Sequence, residues 1–195
     1  MKIKKKDLAT HTKHNEVNET YFCTLTNYRW LPLFEEAQAY DVAYKWFEYL
    51  IKDSCHISAY VIMPNHLHCL LYPTNREKPL NKLVSEGKRF MAYAIIKKLR
   101  TFGKLEMLRT LEEGVQENEK KKGKKHQVFR LSFDARKCLE EKMVEQKLDY
   151  IHLNSVSGKW KLVDDFVNYK HSSAAYYELG LENKFVTHYK NVNDV

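Results

Sequence analysis

Two short apolar runs, His56 to Met63 (HISAYVIM) and His66 to Tyr72 (HLHCLLY), are separated only by Pro64 and Asn65. That pairing constrains the fold more than any other stretch of the chain, because Pro-Asn between apolar runs fits a tight connection and makes the two runs a β-hairpin. Upstream, Thr20 to Asn27 (TYFCTLTN) is dense in β-branched and aromatic residues and reads as a first strand. Between them, Tyr40, Ala43, Phe47, Leu50 and Ile51 recur at three- and four-residue spacing, which predicts a helix from Glu35 to Ile51 that ends near Asp53-Ser54.

A second long helix is expected from Pro79 to Arg100, marked by Leu80, Leu83, Val84, Gly87, Met91, Ala94 and Ile95, with Pro79 suited to its first turn. Gly114 to His126 (GVQENEKKKGKKH) is charged and nearly free of apolar residues, so it reads as an insertion ahead of a final strand, Gln127 to Phe133. A last helix is expected from Lys137 to Asn154. The order βαββαβ, with antiparallel pairing and two helices on one face, is the ferredoxin-like α+β arrangement with an extra C-terminal helix. The expected organisation is a basic leader over 1–18, one domain over 19–180 with a charged insertion at 113–126, and a tail over 181–195.

The 195 residues are 44% hydrophobic and 13% aromatic, enough for a core, and six glycines are too few for an all-β chain of many tight turns. No apolar run approaches the roughly 18 to 20 residues that cross a bilayer, and the basic N-terminus has no hydrophobic segment behind it. Cys23, Cys55, Cys69 and Cys138 form no CxxC pair, so a zinc knuckle or disulfide framework lacks its spacing and a reducing cytoplasm is the expected location. Lys plus Arg exceed Asp plus Glu by 33 − 25 = +8, a field that attracts polyanions such as nucleic acid.

Chemistry concentrates in two places. In Met63-Pro64-Asn65-His66-Leu67-His68 two histidines flank one hydrophobic residue; strand alternation puts both imidazoles on one side, where two neutral ring nitrogens can converge on a divalent cation. Two surface histidines are the plainer alternative. In Gln146-Lys147-Leu148-Asp149-Tyr150-Ile151-His152-Leu153-Asn154, helical spacing sets Tyr150 and Asn154 on one face with Gln146 and Lys147, apart from the stripe of Val144, Leu148 and Ile151. Alone, this is an amphipathic helix with a tyrosine at the core edge.

Together, the MPNHLH strand, the helix carrying QKLDYIHLN and the later YKHSSAAYY resemble the single-tyrosine HUH transposases, most closely the REP-associated tyrosine transposases and their insertion-sequence relatives. The resemblance runs from about Thr20 to Gly180. It departs from the family pattern at Asn154-Ser155-Val156, where relatives read Asn-Pro-Val, and at Val128-Phe129-Arg130, which replaces a Trp-Gln pair.

The resemblance implies a metal-dependent single-strand DNA transesterase in which Tyr150 is the nucleophile and forms a 5′-phosphotyrosine link. It implies further that His66 and His68 are metal ligands, that Asn154 is a third ligand, and that the partner is single-stranded or hairpin DNA. A phenol, with an ordinary pKa of about 10, is a poor nucleophile at neutral pH, so a bound Mg²⁺ or Mn²⁺ is the expected cofactor. Lys120, Lys121, Lys122, Lys124, Lys125 and Lys147 are the candidate DNA contacts, and Tyr21, Tyr28, Trp30 and Phe34 are aromatics that could stack on bases. The family contains monomers and dimers, so a homodimer is compatible with this chain. A domesticated hairpin-binding protein that does not cut and a hydrolytic metal site with a structural Tyr150 remain alternatives. Tyr93, beside Phe90, Ala94 and Ile96, is the rival tyrosine and reads as a packing residue.

Overall fold

The computed structural model describes residues 14 and 16–193. The leader expected at the N-terminus lies outside the described residues up to residue 13. Strand β1 (Thr20–Thr26) is followed by a short helix α1 (Leu33–Glu36), then α2 (Tyr40–Lys52), β2 (Cys55–Met63) and β3 (His66–Pro73). Next come α3 (Leu80–Thr101), α4 (Leu105–Glu113), α5 (Glu117–Lys120), β4 (Asp134–Cys138), α6 (Glu141–Leu153) and α7 (Ala174–Leu179). The four strands form one antiparallel sheet in the order β2-β3-β1-β4.

Period-2 alternation divides the strands between two faces. Tyr21, Cys23, Leu25, Leu67, Cys69 and Leu71 pack with Val42, Trp46, Phe47, Leu83, Met91 and Ile95 of α2 and α3, and this is the main core. Phe22, Val61, Met63 and Leu70 point the other way, onto Val144, Leu148 and Ile151 of α6. The hairpin and the long helices thus form as their apolar patterns dictate, and α6 covers the opposite face of the sheet. His66 and His68, in register with Thr26 and Thr24 of β1, lie on that α6 face.

Four expectations need correction. The expected final strand, Gln127 to Phe133, is irregular: Phe129 makes one isolated bridge with Asn27, and the strand that pairs along β1 is β4. Val128 and Phe129 are buried caps over the end of the sheet, whereas β4 is an edge strand of sequence DARKC whose weak apolar content gave no signal. The helix expected over Glu35–Ile51 is broken at 37–39, where Gln38 takes φ +46° and the Ala39 N–H donates to Phe34 O at 2.8 Å. Ala37 and Ala39 are fully buried there, and the break turns both inward.

The charged insertion contains helix α5 and follows α4, which hydropathy had not marked. Leu111 and Val115 anchor it in the interior, so only part of it is a solvated loop. The last helix begins at Glu141 rather than Lys137, because Lys137 and Cys138 belong to β4, and a 3-10 turn over Asn154–Val156 continues its C-terminal end. In the tail, the Thr187 N–H donates to Ile57 O at 2.9 Å, so residues 186–187 run along the free edge of β2.

Candidate active site

His66 opens β3, and its orientation is set by its neighbour: His66 Nδ1–H donates to Asn65 Oδ1 at 2.7 Å. That leaves the Nε2 lone pair aimed at Asn154 Oδ1, 3.2 Å away at the C-terminal end of α6. For a neutral imidazole these are two acceptors facing one point. A cation there satisfies both; turning the Asn154 carboxamide to present Nδ2 is the protein-only alternative. The separation is close to the ~3 Å expected between adjacent ligands about 2.1 Å from one octahedral ion.

His68 pairs with the Thr24 hydroxyl, with Nδ1 and Oγ1 2.9 Å apart, so Nε2 is the nitrogen left for other work. Its ring is 4.6 Å from that of His66, centroid to centroid. Both imidazoles are buried, with 7% and 5% of their surface exposed, and burial favours the neutral form. Burial pushes the His66 pKa down to about 4, partly offset because Asn154 Oδ1 would accept from the protonated ring. His68 is held well below the ordinary histidine value by burial first, and then by the repulsion that a second proton beside His66 and the Lys147 ammonium would meet. Neutral imidazole is the form that ligates metal.

Tyr150 stands over this pair. Its ring is 5.3 Å from that of His68 and edge-on to it, and Phe22 packs edge-on against Tyr150 at 5.8 Å. Phe22 in turn stacks on His68 at 5.3 Å. The Lys147 ammonium lies 4.9 Å above the Phe22 ring and 5.7 Å from that of Tyr150. Tyr150 is nonetheless 51% exposed, so a polymer can reach it.

No family model matches the chain, and no curated protein matches it. Among solved structures it is similar to a REP-associated tyrosine transposase bound to a REP hairpin, with a TM-score of 0.62 and 14% identity over 93% of this chain and 96% of that one. The two chains share a fold. At that identity the likeness is one of architecture, and it agrees with the ferredoxin-like arrangement read from the sequence.

The fold brings His66, His68, Asn154, Tyr150 and Lys147 together. It spreads the lysine run of the insertion: Lys122, Lys124 and Lys125 line a wide groove that passes Thr24, Thr26 and Trp30, whereas Lys120 and Lys121 do not line it. Lys120 and Lys122 pair with Glu117 and Glu119. Among the described residues there is no cluster of three or more His, Cys, Asp or Glu placed to hold a metal, so any metal site here depends on the Asn154 oxygen.

Tyr21 and Phe34 are buried core residues. Tyr93 is 75% exposed, which overturns its reading as a packing residue. Asn65 and Thr24 hold the histidines and were not singled out in the sequence. Asn65 looked like a turn residue only, while Thr24 could have been found by aligning β1 against the hairpin.

Proposed function

We propose that this protein is a DNA strand transferase that cuts single-stranded DNA through Tyr150. The observation that carries the reading is that one helix, α6, brings both Tyr150 and Asn154 onto the sheet face that presents His66 and His68. The likeness in fold to a hairpin-bound tyrosine transposase supports DNA as the substrate, and the +8 charge suits it.

The donor set fits a divalent cation of the Mg²⁺ or Mn²⁺ class. His66 Nε2, His68 Nε2 and Asn154 Oδ1 would hold it, and when bound it supplies Lewis-acid activation of a phosphate and stabilises the departing oxygen. The chain's own groups do the rest. Asn65 and Thr24 fix the two rings, and burial keeps them neutral. Phe22 and His68 position the tyrosine ring, and Lys147 places positive charge beside it. Tyr150 Oη attacks phosphorus, the bond from phosphorus to the 3′-oxygen breaks, and the 5′-phosphate remains on the tyrosine. The phenolic proton is lost to solvent and the leaving 3′-oxygen takes one up, so the step is proton-neutral overall. Attack by another 3′-hydroxyl reverses it. Tyr150 and the histidines belong to the same chain, so a single copy contains the whole constellation.

Incubation with hairpin-bearing single-stranded oligonucleotides in Mg²⁺, followed by denaturing electrophoresis, tests this. A protein–DNA adduct that survives denaturant is the expected result. Binding without an adduct would favour the non-cutting hairpin-binding alternative, and cleavage without an adduct would favour hydrolysis.

A further inference from the structure

Helix α3 carries two stripes. Leu80, Leu83, Val84, Gly87, Met91, Ile95 and Leu99 face the core. A second stripe, recurring at three- and four-residue intervals from Asn81 to Arg100, lines a groove of about 1780 Å³ whose other wall is the segment from Lys122 to Phe133. The groove is larger than the roughly 300–1,000 Å³ of small-molecule pockets, and the α3 stripe is about 28 Å long at 1.5 Å per residue, which suits a polymer.

Its charge is of one sign over most of its length. Arg89, Lys97, Arg100, Lys125 and Arg130 line it, and none of these makes an ion pair among the described residues. Lys88 ties the two walls together, donating to the Arg130 carbonyl at 2.7 Å.

Two exposed aromatics line the groove. Tyr93 is 75% exposed at mid-helix, and Trp30 is 49% exposed where the groove meets the histidine pair, its ring 5.6 Å from that of His66. Trp30 is held there at a conformational cost. Arg29 and Trp30 take φ of +51° and +58°, left-handed conformations that residues with a side chain rarely adopt. Buried Asn27 fastens the turn by donating from Nδ2 to Leu31 O at 3.1 Å, and the Tyr28 N–H donates to Val128 O at 2.7 Å. A large apolar side chain forced outward beside a candidate active site is a feature that packing alone does not require.

We propose that this groove carries a single-stranded segment of the DNA substrate away from the histidine pair, with Trp30 and Tyr93 as platforms on which unpaired bases stack. Cations track the phosphates while the exposed rings take bases, a combination that duplex, with its bases already stacked, does not use. The inference rests on the reading of the protein as a DNA strand transferase and names the path its substrate follows.

Fluorescence anisotropy of the full chain with a labelled single-stranded 20-mer, at low and moderate salt, tests it. Trp30→Ala and Tyr93→Ala should each weaken binding about five- to hundred-fold. Arg100→Glu should weaken it and flatten the salt dependence. Lys52→Glu, the same charge reversal away from the groove, should bind within about twofold of wild type, the usual margin of an uninvolved exposed site. If the wild-type protein binds and all three groove variants bind as tightly, the groove is not the path, and the cleavage reading stands independently. Duplex bound as tightly as single strand, or RNA bound markedly tighter than DNA, would also overturn the proposal. If the wild-type protein binds no DNA, both readings fall.

Discussion

Asn154 Oδ1 lies 3.2 Å from His66 Nε2, so the end of the last long helix and the start of a central strand meet at a single polar point. Neither residue belongs to the apolar core of its element, and both are directed at the same place. An Asn154→Ala variant keeps the helix stripe and removes the carboxamide, that oxygen included. Its fold should persist within about 1 kcal/mol, as for other truncations outside the core. Metal-dependent cleavage should be lost or need far more Mg²⁺, and a titration matching wild type would remove Asn154 from the site.

Thr24→Val replaces a hydroxyl with a methyl of nearly the same shape and frees the His68 ring from its partner. Outer partners of this kind typically contribute 10- to 100-fold to metal affinity or activity. The expected outcome is a cleavage defect that high Mg²⁺ rescues in part. A defect that no metal concentration relieves would place Thr24 in substrate contact instead.

Gly87 on α3 is a packing requirement. A Cβ built there would lie 2.1 Å from Trp46 Nε1, and Trp46 is a buried core residue whose indole N–H donates to Leu83 O at 3.3 Å. Alanine would gain about 0.8–1.0 kcal/mol of helix propensity. The forced displacement of a buried indole costs typically 1–3 kcal/mol or more, so the clash wins. Thermal denaturation of Gly87→Ala should show a lowered Tm; a raised one would mean that Trp46 moves freely.

His171 supplies a pH dependence away from the candidate active site. Its ring stacks on Tyr40 at 3.8 Å, and Tyr44 Oη lies 3.0 Å from Nδ1. Burial and the Lys170 charge push its pKa down to about 4, against a smaller opposing effect of Glu35. As pH falls below 6.5 the unfolded chain takes up this proton first, so stability present at pH 7 is lost progressively toward pH 4. Urea unfolding should show wild type losing about 1–2 kcal/mol more than His171→Phe between pH 7 and pH 5. Parallel losses in the two proteins would contradict this.

Most of the fold was legible because the hairpin and the two helices of the main core carry strong apolar periodicity. Leu67 between His66 and His68 fixed the strand face, and Tyr150 stood off the stripe of Val144, Leu148 and Ile151. What escaped was set by tertiary contacts. Strand β4 pairs through its backbone with side chains mostly in solvent, so hydropathy favoured the apolar cap at Val128-Phe129 instead. Gln38 breaks a helical pattern because two neighbouring alanines must be buried. The supporting roles of Thr24 and Asn65 depend on cross-strand register and a turn's orientation, which one sequence does not display. Tyr93 misled because its neighbours Ala94 and Ile96 are apolar, while the helix turns the tyrosine itself outward.

The central claim is that Tyr150 is the nucleophile, and the most direct measurement is peptide mapping by mass spectrometry of an adduct trapped on a single-stranded substrate. Tyr150→Phe removes one oxygen from a half-exposed ring and should leave stability and DNA binding nearly unchanged. The account predicts a nucleotide on the peptide containing Tyr150, no adduct from Tyr150→Phe, and a normal adduct from Tyr93→Phe. A nucleotide mapped to Tyr93, or an adduct formed by Tyr150→Phe, would contradict it.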